Sequence, residues 1–389
     1  RPLIDSEYQS AVVERIRSRG YNETFGDVTV RLAQEFGFCY GVDRAVDYAY
    51  ETRHKFPDRR IFLLGEIIHN PHVNHRMQEM GIEFIYPDPD GAFDFSPVTP
   101  DDAVIIPAFG ITKQDFEVLQ GIGCVLVDTT CGSVLVVWKR VESYARDGFT
   151  AIIHGKYQHE ESRATASQAS KHPDGKYLIV RDMKEAGLVC DYMADRPGRL
   201  TREAFMAHFK EKSTPGFDPD RDLLKVGVAN QTTMLANESL AIGAQVRKAM
   251  AEGHGEDYAA ENYRAFGTIC SATQDRQDAV QELLQDPPDI MVVIGGYNSS
   301  NTNHLAHMCR DYTRTFHVAD ATCIDVETGE IRHKPELSAD APEILESDWL
   351  PEGPFELGIT AGASTPNNKV GEAVLRILQI RGVEIDLHA

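Results

Sequence analysis

The chain has 389 residues, of which 42% are hydrophobic and 25% are charged, so it is long enough for two or three domains with separate cores. Its formal net charge of −21 argues against nucleic acid or an anionic membrane surface as a partner, because clustered lysine and arginine hold phosphate groups. The longest apolar runs fall far short of the roughly 20 residues that a membrane-spanning helix needs. We therefore predict a globular protein that binds neither nucleic acid nor membrane.

Short β-branched runs alternate with helix-like segments along the chain, which predicts an α/β fold with parallel sheets. In such sheets, ligands collect beyond the carboxyl ends of the strands. The residues that follow each run are therefore the candidates for function. We expect strands near residues 28–33, 61–65, 103–107, 124–128, 150–154, 177–180, 223–229, 290–295 and 355–360.

Two helix starts carry a capping residue followed by proline, namely Asn70 before Pro71 and Thr365 before Pro366. Three other stretches are rich in charged residues or proline, or precede the first strand. We expect them to be surface connections without catalytic residues. They are residues 1–26, 211–222 and 330–353.

Three of the seven cysteines share one local setting, in which an apolar run leads into a loop of small residues and then a helix-like segment. They are Cys39, Cys131 and Cys270, which lie 92 and 139 residues apart. Such distances exclude a local zinc knuckle and suggest one ligand from each of three structural units. Three thiolates on an iron–sulfur cube would leave one iron open to substrate. The other four lack this setting and are interpreted as packing residues: Cys124, Cys190, Cys309 and Cys323.

Polar side chains in several loops form a second set of candidates. They lie in EIIHNPHVN, HGKYQHEES, ANQTTM, GGYNSSNTNHL and TAGASTP. Hydroxyl and amide donors at helix starts can hold an anion without lysine clusters. No GxxxxGK[ST] motif is present, so no nucleoside triphosphate is implied. The candidates are His69, His159, Thr232, Ser299, Ser300, Asn301 and Ser364.

Together, GFCxGVxRAV, the Thr-Cys pair before a helix, ICxATQxRQ, NSSNT and TxGAS resemble the LytB family of 4-hydroxy-3-methylbut-2-enyl diphosphate reductases. The N-terminal extension, PAFG, HGKYxHEE, ANQTTM and the GFDPD insertion resemble its plant and cyanobacterial branch. The resemblance implies three α/β domains with small parallel sheets, arranged as a pseudo-threefold trefoil around a central iron–sulfur cluster. We accordingly predict an extension at residues 1–26 and domains at 27–130, 131–269 and 270–389.

The resemblance also implies a reaction, the last step of the methylerythritol phosphate route to isoprenoids. The allylic hydroxyl of 4-hydroxy-3-methylbut-2-enyl diphosphate would leave as water with uptake of two electrons, giving isopentenyl and dimethylallyl diphosphate. It implies a [4Fe-4S] cluster on Cys39, Cys131 and Cys270 with one open iron, and an external donor, ferredoxin or flavodoxin. We expect a bacterial cytoplasm or, alternatively, a plastid stroma as the compartment.

Site roles follow from the same resemblance. Breaking a C–O bond with hydroxide as the leaving group needs a Lewis acid on the oxygen and a proton. Glu161 is the candidate for the proton, and Thr232 for contact with the leaving oxygen. His69 and His159 resemble the histidines that line the family's diphosphate site. His154 matches no ligand position.

The chain departs from the family pattern at two positions. Phe109 stands where many bacterial members carry a histidine, although the plant-like branch shares this change. Gly132 follows Cys131 where proline is usual, so the helix after it is expected to start less rigidly.

Two alternatives remain open at this point. A quinolinate-synthase-like enzyme also has three cysteines and an open iron, but it would need arginines to hold dicarboxylates, and the pocket motifs here are neutral. A non-catalytic electron carrier normally gives its cluster four protein ligands. It would leave the candidate proton donor and the diphosphate-like loops unexplained.

Overall fold

The computed structural model describes residues 8–335 and 341–385. Helices α1 to α14, in chain order, are Ala11–Ser18, Tyr40–Lys55, Pro71–Glu79, Lys113–Ile122, Gly132–Arg146, Glu160–Ser167, Met183–Met193, Arg202–His208, Pro219–Asp222, Ala236–His254, Glu256–Asn262, Ser271–Leu283, Ser300–Arg310 and Asn367–Ile380. Strands β1 to β15 are Asn22–Phe25, Val28–Leu32, Ile61–Leu64, Ile82–Ile85, Ala103–Ile106, Val125–Asp128, Thr150–His154, Tyr177–Val180, Val226–Asn230, Tyr263–Ala265, Ile290–Ile294, Arg314–Val318, Ile331–His333, Ile344–Glu346 and Phe355–Ala361. Among the described helices, none is both long and apolar enough to cross a bilayer.

The chain groups into two compact units. The first unit takes residues up to Asp47, then Ile68–Arg76 and the residues from Ser271 onward. The second unit takes Tyr48–Ile67 and Met77–Cys270. Both units are therefore discontinuous in sequence.

One five-stranded sheet forms the centre of the first unit, in the order β1-β2-β15-β11-β12. All its pairings are parallel except the β1–β2 hairpin. Side chains of β11 alternate between its two faces, as a strand buried on both sides requires. Val292 packs with residues of α1 and α14, while Met291 packs with residues of α12 and α13.

The second unit contains two four-stranded parallel sheets, in the orders β4-β3-β5-β6 and β10-β9-β7-β8. Strand β7 is fully buried, and Ile152 and Ile153 contribute to separate cores on its two faces. Strands buried on both faces explain the continuous apolar runs of the sequence.

All nine predicted strands are present, and the prediction of an α/β fold with small parallel sheets is confirmed. The unpredicted strands β1, β4, β10 and β12 lie at sheet edges, and β13 and β14 form a two-stranded ribbon. Edge strands carry shorter apolar runs because only part of each is covered. The domain boundaries at residues 27, 131 and 270, and the trefoil arrangement, stay predictions. Strand β2, however, pairs with β15 and so joins the sheet of the C-terminal residues.

Two expectations were wrong. The stretches predicted as surface connections contribute to the core, because Val13 and Ile16 of α1, Phe217 and Trp349 are almost completely buried. The last helix begins at Asn367 with Pro366 as its N-cap, so Thr365 does not cap it. The Thr365 hydroxyl instead donates to the carbonyl of Ile294 at 3.1 Å.

Candidate functional site

Each predicted site residue lies in a segment that follows the carboxyl end of a strand. Helices begin at or beside several of these residues, so peptide N–H groups point toward them. Thus Cys39 follows β2, His69 follows β3, Cys131 follows β6, His159 and Glu161 follow β7, Thr232 follows β9, Cys270 follows β10, Ser299 to Asn301 follow β11, and Ser364 follows β15.

The three cysteines of the repeated setting each stand directly before a helix. Cys131 is the N-cap of α5, with an extended backbone at φ −62° and ψ 139°. Cys39 immediately precedes α2, and Cys270 immediately precedes α12. All three are partly exposed. Metal is ligated by the negatively charged thiolate, and the positive end of a helix dipole stabilises negative charge, so all three positions are suited to a metal ligand.

The other cysteines have the opposite environment. Cys190 and Cys309 lie inside hydrophobic cores, where burial raises the pKa of each thiol to about 12. Cys323 is buried in the core of the first unit, and burial also raises the pKa of Cys124. The raised pKa values keep the thiols of Cys190, Cys309 and Cys124 protonated at neutral pH. These environments support the interpretation of the four cysteines as packing residues.

In the second unit, Glu161 and Thr232 form a buried pair. The Glu161 side chain is only 1% exposed. Its carboxylate accepts hydrogen bonds from the Thr232 backbone N–H at 2.6 Å and from the Thr232 hydroxyl at 3.0 Å. The Thr232 carbonyl in turn accepts from the Cys270 N–H at 3.4 Å. The predicted proton donor is therefore linked through one residue to a predicted cluster ligand.

A second path in this unit leads from Glu161 to Cys131. His159 caps α6, and its Nδ1 accepts the Glu161 N–H at 3.1 Å, so a neutral ring carries its proton on Nε2. The Phe109 ring contacts the His159 ring edge-on, with centroids 5.6 Å apart. The Cys131 N–H donates to the carbonyl of Ala108, beside Phe109, at 3.0 Å. Phe109 therefore keeps a packing role where many family members carry a histidine.

In the first unit, hydrogen bonds join the Asn-Ser-Ser-Asn loop to the loop of Cys39. Asn301 is 2% exposed, and its Oδ1 accepts from the Ala363 N–H at 2.9 Å. The Ala363 carbonyl accepts from the Cys39 N–H at 3.2 Å. Because Oδ1 accepts, the amide orientation is determined. The Asn301 Nδ2 has no hydrogen-bond partner within residues 8–335 and 341–385.

The remaining candidates of the first unit lie in the same network. Ser299 is the N-cap of α13 and accepts from the Thr302 N–H at 3.3 Å, while Ser300 is 2% exposed at the first helical position. The Ser364 hydroxyl donates to the His69 carbonyl at 3.2 Å, and the Asn70 amide donates to the Ser364 carbonyl at 2.8 Å.

Sequence reasoning missed two positioning residues. The Asn298 amide lies 3.2 Å from His69 Nδ1 and therefore orients that ring. Arg276, which is 4% exposed, donates to the Gly37 carbonyl at 2.6 Å, two residues before Cys39. Asn298 opens the run from which the next three residues were selected, so its signal was visible. An arginine inside ICxATQxRQ gives no comparable sign that it is buried.

His154, which was predicted to lie outside the site, has a structural environment. Its ring is completely buried after β7, with Nδ1 2.7 Å from the Ser239 hydroxyl. Burial lowers its pKa to about 4, so the ring is neutral at pH 7. Such an environment is typical of a structural histidine.

The residues fit the groups that the sequence implies. Three partly exposed cysteines at helix N-termini match the thiolate ligands of an iron–sulfur cluster. The unpartnered, buried Asn301 N–H2 and the hydroxyl-rich start of α13 match an anion that accepts hydrogen bonds. A buried donor without a partner is costly, so the Asn301 amide is a candidate to bind a ligand.

Comparisons with known proteins agree on one family. The sequence pattern of the LytB protein family matches residues 30–378. A 4-hydroxy-3-methylbut-2-enyl diphosphate reductase of Thermosynechococcus vestitus is 49% identical over 381 residues, covering 98% of this chain and 92% of the relative. The same-named protein of Synechococcus sp. strain CC9605 is 48% identical and covers 97% of this chain and 92% of the relative.

Solved structures show the same likeness. One is an (E)-4-hydroxy-3-methyl-but-2-enyl diphosphate reductase, described as the terminal enzyme of the non-mevalonate pathway. It is 26% identical with a TM-score of 0.53, covering 90% of this chain and 99% of that chain. The Plasmodium falciparum E-1-hydroxy-2-methyl-but-2-enyl-4-diphosphate reductase has a TM-score of 0.64 at 20% identity, covering 90% and 87%, and shows the fold alone. The expected likeness to cyanobacterial proteins is confirmed.

Proposed function

The chain belongs to the LytB protein family, and we propose that it is the reductase that converts 4-hydroxy-3-methylbut-2-enyl diphosphate to isopentenyl and dimethylallyl diphosphate. The allylic C–O bond breaks, the hydroxyl leaves as water, and two electrons and two protons enter. Relatives that share almost half of its residues over nearly its whole length carry that name.

We propose that Cys39, Cys131 and Cys270 hold a [4Fe-4S] cluster with one open iron. Bound there, the cluster would supply electrons and a Lewis acid for the leaving oxygen. The helix N-terminus that follows each thiol supports the assignment, because the positive end of a helix dipole stabilises a negatively charged ligand.

Glu161 relays the proton that the leaving oxygen receives, taking it up on a carboxylate that accepts hydrogen bonds from the Thr232 N–H and hydroxyl. The Thr232 hydroxyl donates to Glu161, so its oxygen lone pairs stay open toward the substrate. The Thr232 oxygen can therefore take a proton from Glu161 while the hydroxyl passes its own proton to the leaving oxygen. Burial of the pair keeps bulk water from competing for this proton.

The diphosphate is bound by donors of the first unit, namely Ser299, Ser300, Asn301 and Ser364. His69 is a further donor of the same unit. These donors are neutral, so they hold an anion without adding a fixed positive charge. On the second unit, His159 presents Nε2–H as a further donor, since its Nδ1 is already an acceptor. His69 and His159 strengthen their contacts when protonated.

The observation that carries this proposal is the Glu161–Thr232 pair, joined to the backbone of Cys270. An electron carrier needs no buried carboxylate beside a cluster ligand. A dicarboxylate-binding enzyme would instead place arginines among these loops. The five polar motifs that supply the candidate residues contain no arginine. For the finer points we propose ferredoxin or flavodoxin as electron donor, and a bacterial cytoplasm or plastid stroma as compartment.

The test is an anaerobic purification, a visible spectrum and a turnover assay. We expect a brown protein that converts the hydroxylated C5 diphosphate to both products with reduced methyl viologen. A colourless protein after reconstitution with iron and sulfide, or a brown protein without turnover, would overturn the proposal.

A further inference from the structure

An exposed stripe runs along α5, the helix that begins after Cys131. Positions four residues apart share a helix face, and on this face Gly132, Val136 and Arg140 are all exposed. Val136 is 50% exposed, which is unusual for a β-branched side chain in a globular protein. Lys139, one turn after Val136, is exposed as well.

The loop before Cys270 meets this stripe. Phe266 is 42% exposed and stacks on the buried ring of Tyr144, with centroids 6.3 Å apart. The Arg140 guanidinium lies 3.9 Å from the Phe266 centroid, a close cation–π contact. The stripe after Cys131 and the loop before Cys270 therefore form one continuous surface of the second unit. We call it the basic aromatic patch, defined by Val136, Lys139, Arg140 and Phe266.

The patch is positive in a strongly negative protein. Lys139 and Arg140 have no carboxylate partner in the part of the chain that the structure describes. The nearby acids have other partners, since Glu142 pairs with Lys171 at 2.8 Å and Asp147 pairs with Arg264 at 2.6 Å. With a net charge of −21, the rest of the protein repels an acidic partner, so the patch is a favourable approach for one.

The backbone beside the patch is open. A Cβ added at Gly132 or at Gly267 would meet no atom within 4 Å. These glycines are the residues directly after Cys131 and three before Cys270. Gly132 and Gly267 are themselves exposed, so the patch lies on surface that is close in sequence to both predicted cluster ligands. Distance matters here, because the rate of electron transfer falls exponentially with separation.

We propose that the basic aromatic patch is the docking surface for a small acidic protein that carries one electron, of the [2Fe–2S] ferredoxin class. The inference rests on the proposed function, which consumes two electrons per substrate. Two reduced carriers dock in turn, and each is oxidised by one electron. One proton joins the leaving hydroxyl to form water, and a second proton joins the reduced allylic chain to form the new C–H bond. Aromatic and arginine residues at the centre of the patch are typical of protein interfaces.

The test compares a protein donor with a small donor that needs no docking. Wild type and the double variant Lys139→Gln, Arg140→Gln are assayed with reduced [2Fe–2S] ferredoxin and with reduced methyl viologen. We expect the variant to raise the KM for ferredoxin by about tenfold and to leave the viologen-driven rate unchanged. The ferredoxin-driven rate of the wild type should fall with added salt more steeply than that of the variant.

The matched control is the double variant Arg247→Gln, Lys248→Gln, which removes the same charge from an exposed adjacent pair on α10. It should leave the KM for ferredoxin unchanged. An equal rise in the KM for ferredoxin in both double variants, or no rise in either, would overturn the proposal that the patch is the docking surface. Loss of both ferredoxin-driven and viologen-driven activity in the patch variant would also overturn it.

A second variant removes the apolar centre while keeping the charge. Phe266→Ala should weaken binding of oxidised ferredoxin to the anaerobic holoprotein about tenfold, measured by titration without substrate. The visible spectrum of the variant should match that of the wild type. Unchanged ferredoxin affinity would overturn the role of Phe266. If wild type itself binds ferredoxin but shows no turnover with viologen, the proposed function fails and the docking surface does not.

Discussion

The two compact units contribute different chemistry to the predicted site. The first offers hydroxyl and amide groups of Ser299, Asn301 and Ser364 that are held by backbone contacts. The second offers an ionisable pair, Glu161 with Thr232, beside a histidine. One unit is suited to hold an anion and the other to move a proton. Assigning substrate binding and proton transfer to different units makes the two functions separable by mutation.

We expect the largest effects at the cysteines, because the three predicted cluster ligands include Cys39 of the first unit and Cys270 of the second. We expect Cys39→Ala and Cys270→Ala each to lose most of the iron and visible absorbance after anaerobic reconstitution, with complete loss of turnover. Iron per protein and the spectrum measure this. Cys309→Ala and Cys190→Ala are the controls, since each thiol lies in a core. They should keep a full cluster and lose about 1 kcal/mol of stability. A full cluster in Cys39→Ala would exclude the first unit as a source of ligand.

The proton function of the second unit is tested by Glu161→Gln. The amide oxygen can still accept the Thr232 N–H, so the fold and cluster should persist. Because the proton is lost, kcat should fall by about 10²-fold to 10⁴-fold while the KM changes little. Viologen-driven kinetics and the visible spectrum measure both properties. Glu203→Gln, another first-turn glutamate but on the exposed helix α8, is the control and should keep full activity. A change in KM without a change in kcat would move Glu161 to substrate binding.

Each unit also buries a neutral histidine, His154 in the second and His317 in the first. Burial lowers the pKa of each ring from 6.5 to about 4. The unfolded chain therefore binds protons that the folded chain does not. The unfolding free energy should be highest above pH 6.5 and fall as the pH drops toward 4. The total loss below both pKa values is about 3 kcal/mol per histidine.

The two tryptophans of the chain can report this loss in each unit separately. Trp138 lies in the second unit and Trp349 in the first. Urea unfolding of Trp349→Phe and Trp138→Phe at pH 7 and pH 5.5 should show a lower midpoint at the lower pH in both variants. When His317→Gln is combined with Trp138→Phe, the urea midpoint reported by Trp349 should depend less on pH. Midpoints that stay constant over this range would contradict neutral, buried rings.

The anion function of the first unit is tested by Asn301→Asp. The carboxylate can still accept the Ala363 N–H, but it replaces the unpartnered N–H2 with a negative oxygen. We expect the KM for the diphosphate to rise about 10-fold to 100-fold, with a smaller change in kcat. In the comparison variant Asn303→Asp, the lost amide N–H already donates to Tyr297, so stability should fall and the KM should not rise. A fall in kcat alone would contradict the division between the units.

The smallest effect is expected at Gly132, the first residue of α5. Proline is favoured at this position, and Cys131 already has the extended backbone that a following proline requires. An added Cβ would meet no atom within 4 Å. Gly132→Pro should raise the unfolding free energy by about 0.5–1 kcal/mol, because proline lowers the conformational entropy of the unfolded chain. Urea unfolding measures this free energy. A lower unfolding free energy in the variant would show that the folded protein needs the backbone N–H or the backbone flexibility of Gly132.

Much of the fold could be read from the sequence because most central strands are buried on both faces. Strand β7 is apolar along most of its length and was predicted within one residue. Strand β12 was missed, because it lies at an edge and its run RTFHV mixes charged and apolar residues. Strand β9 starts at Val226, three residues later than predicted, since the preceding leucines end the turn after α9.

The site was predictable where a motif and a helix start coincide, as at Cys131 and Ser299. Contacts between distant segments were not. The link from Thr232 to Glu161 joins residues 71 positions apart, and no periodicity encodes it. The orientation of His69 by Asn298 spans 229 positions. Such contacts depend on which strands become neighbours, and sequence patterns leave that order open.

One residue of the first unit, Ala363, contacts two predicted site residues through its backbone. The N–H of Ala363 fixes the amide of Asn301, which is predicted to meet the diphosphate, and its carbonyl holds the N–H of Cys39, which is predicted to meet the cluster. Thermodynamic reciprocity then applies. Whatever free energy the bound cluster adds to substrate affinity through Ala363, the bound substrate must add to the retention of the cluster. If both site predictions hold, we expect loss of iron and loss of substrate affinity to be coupled through Ala363.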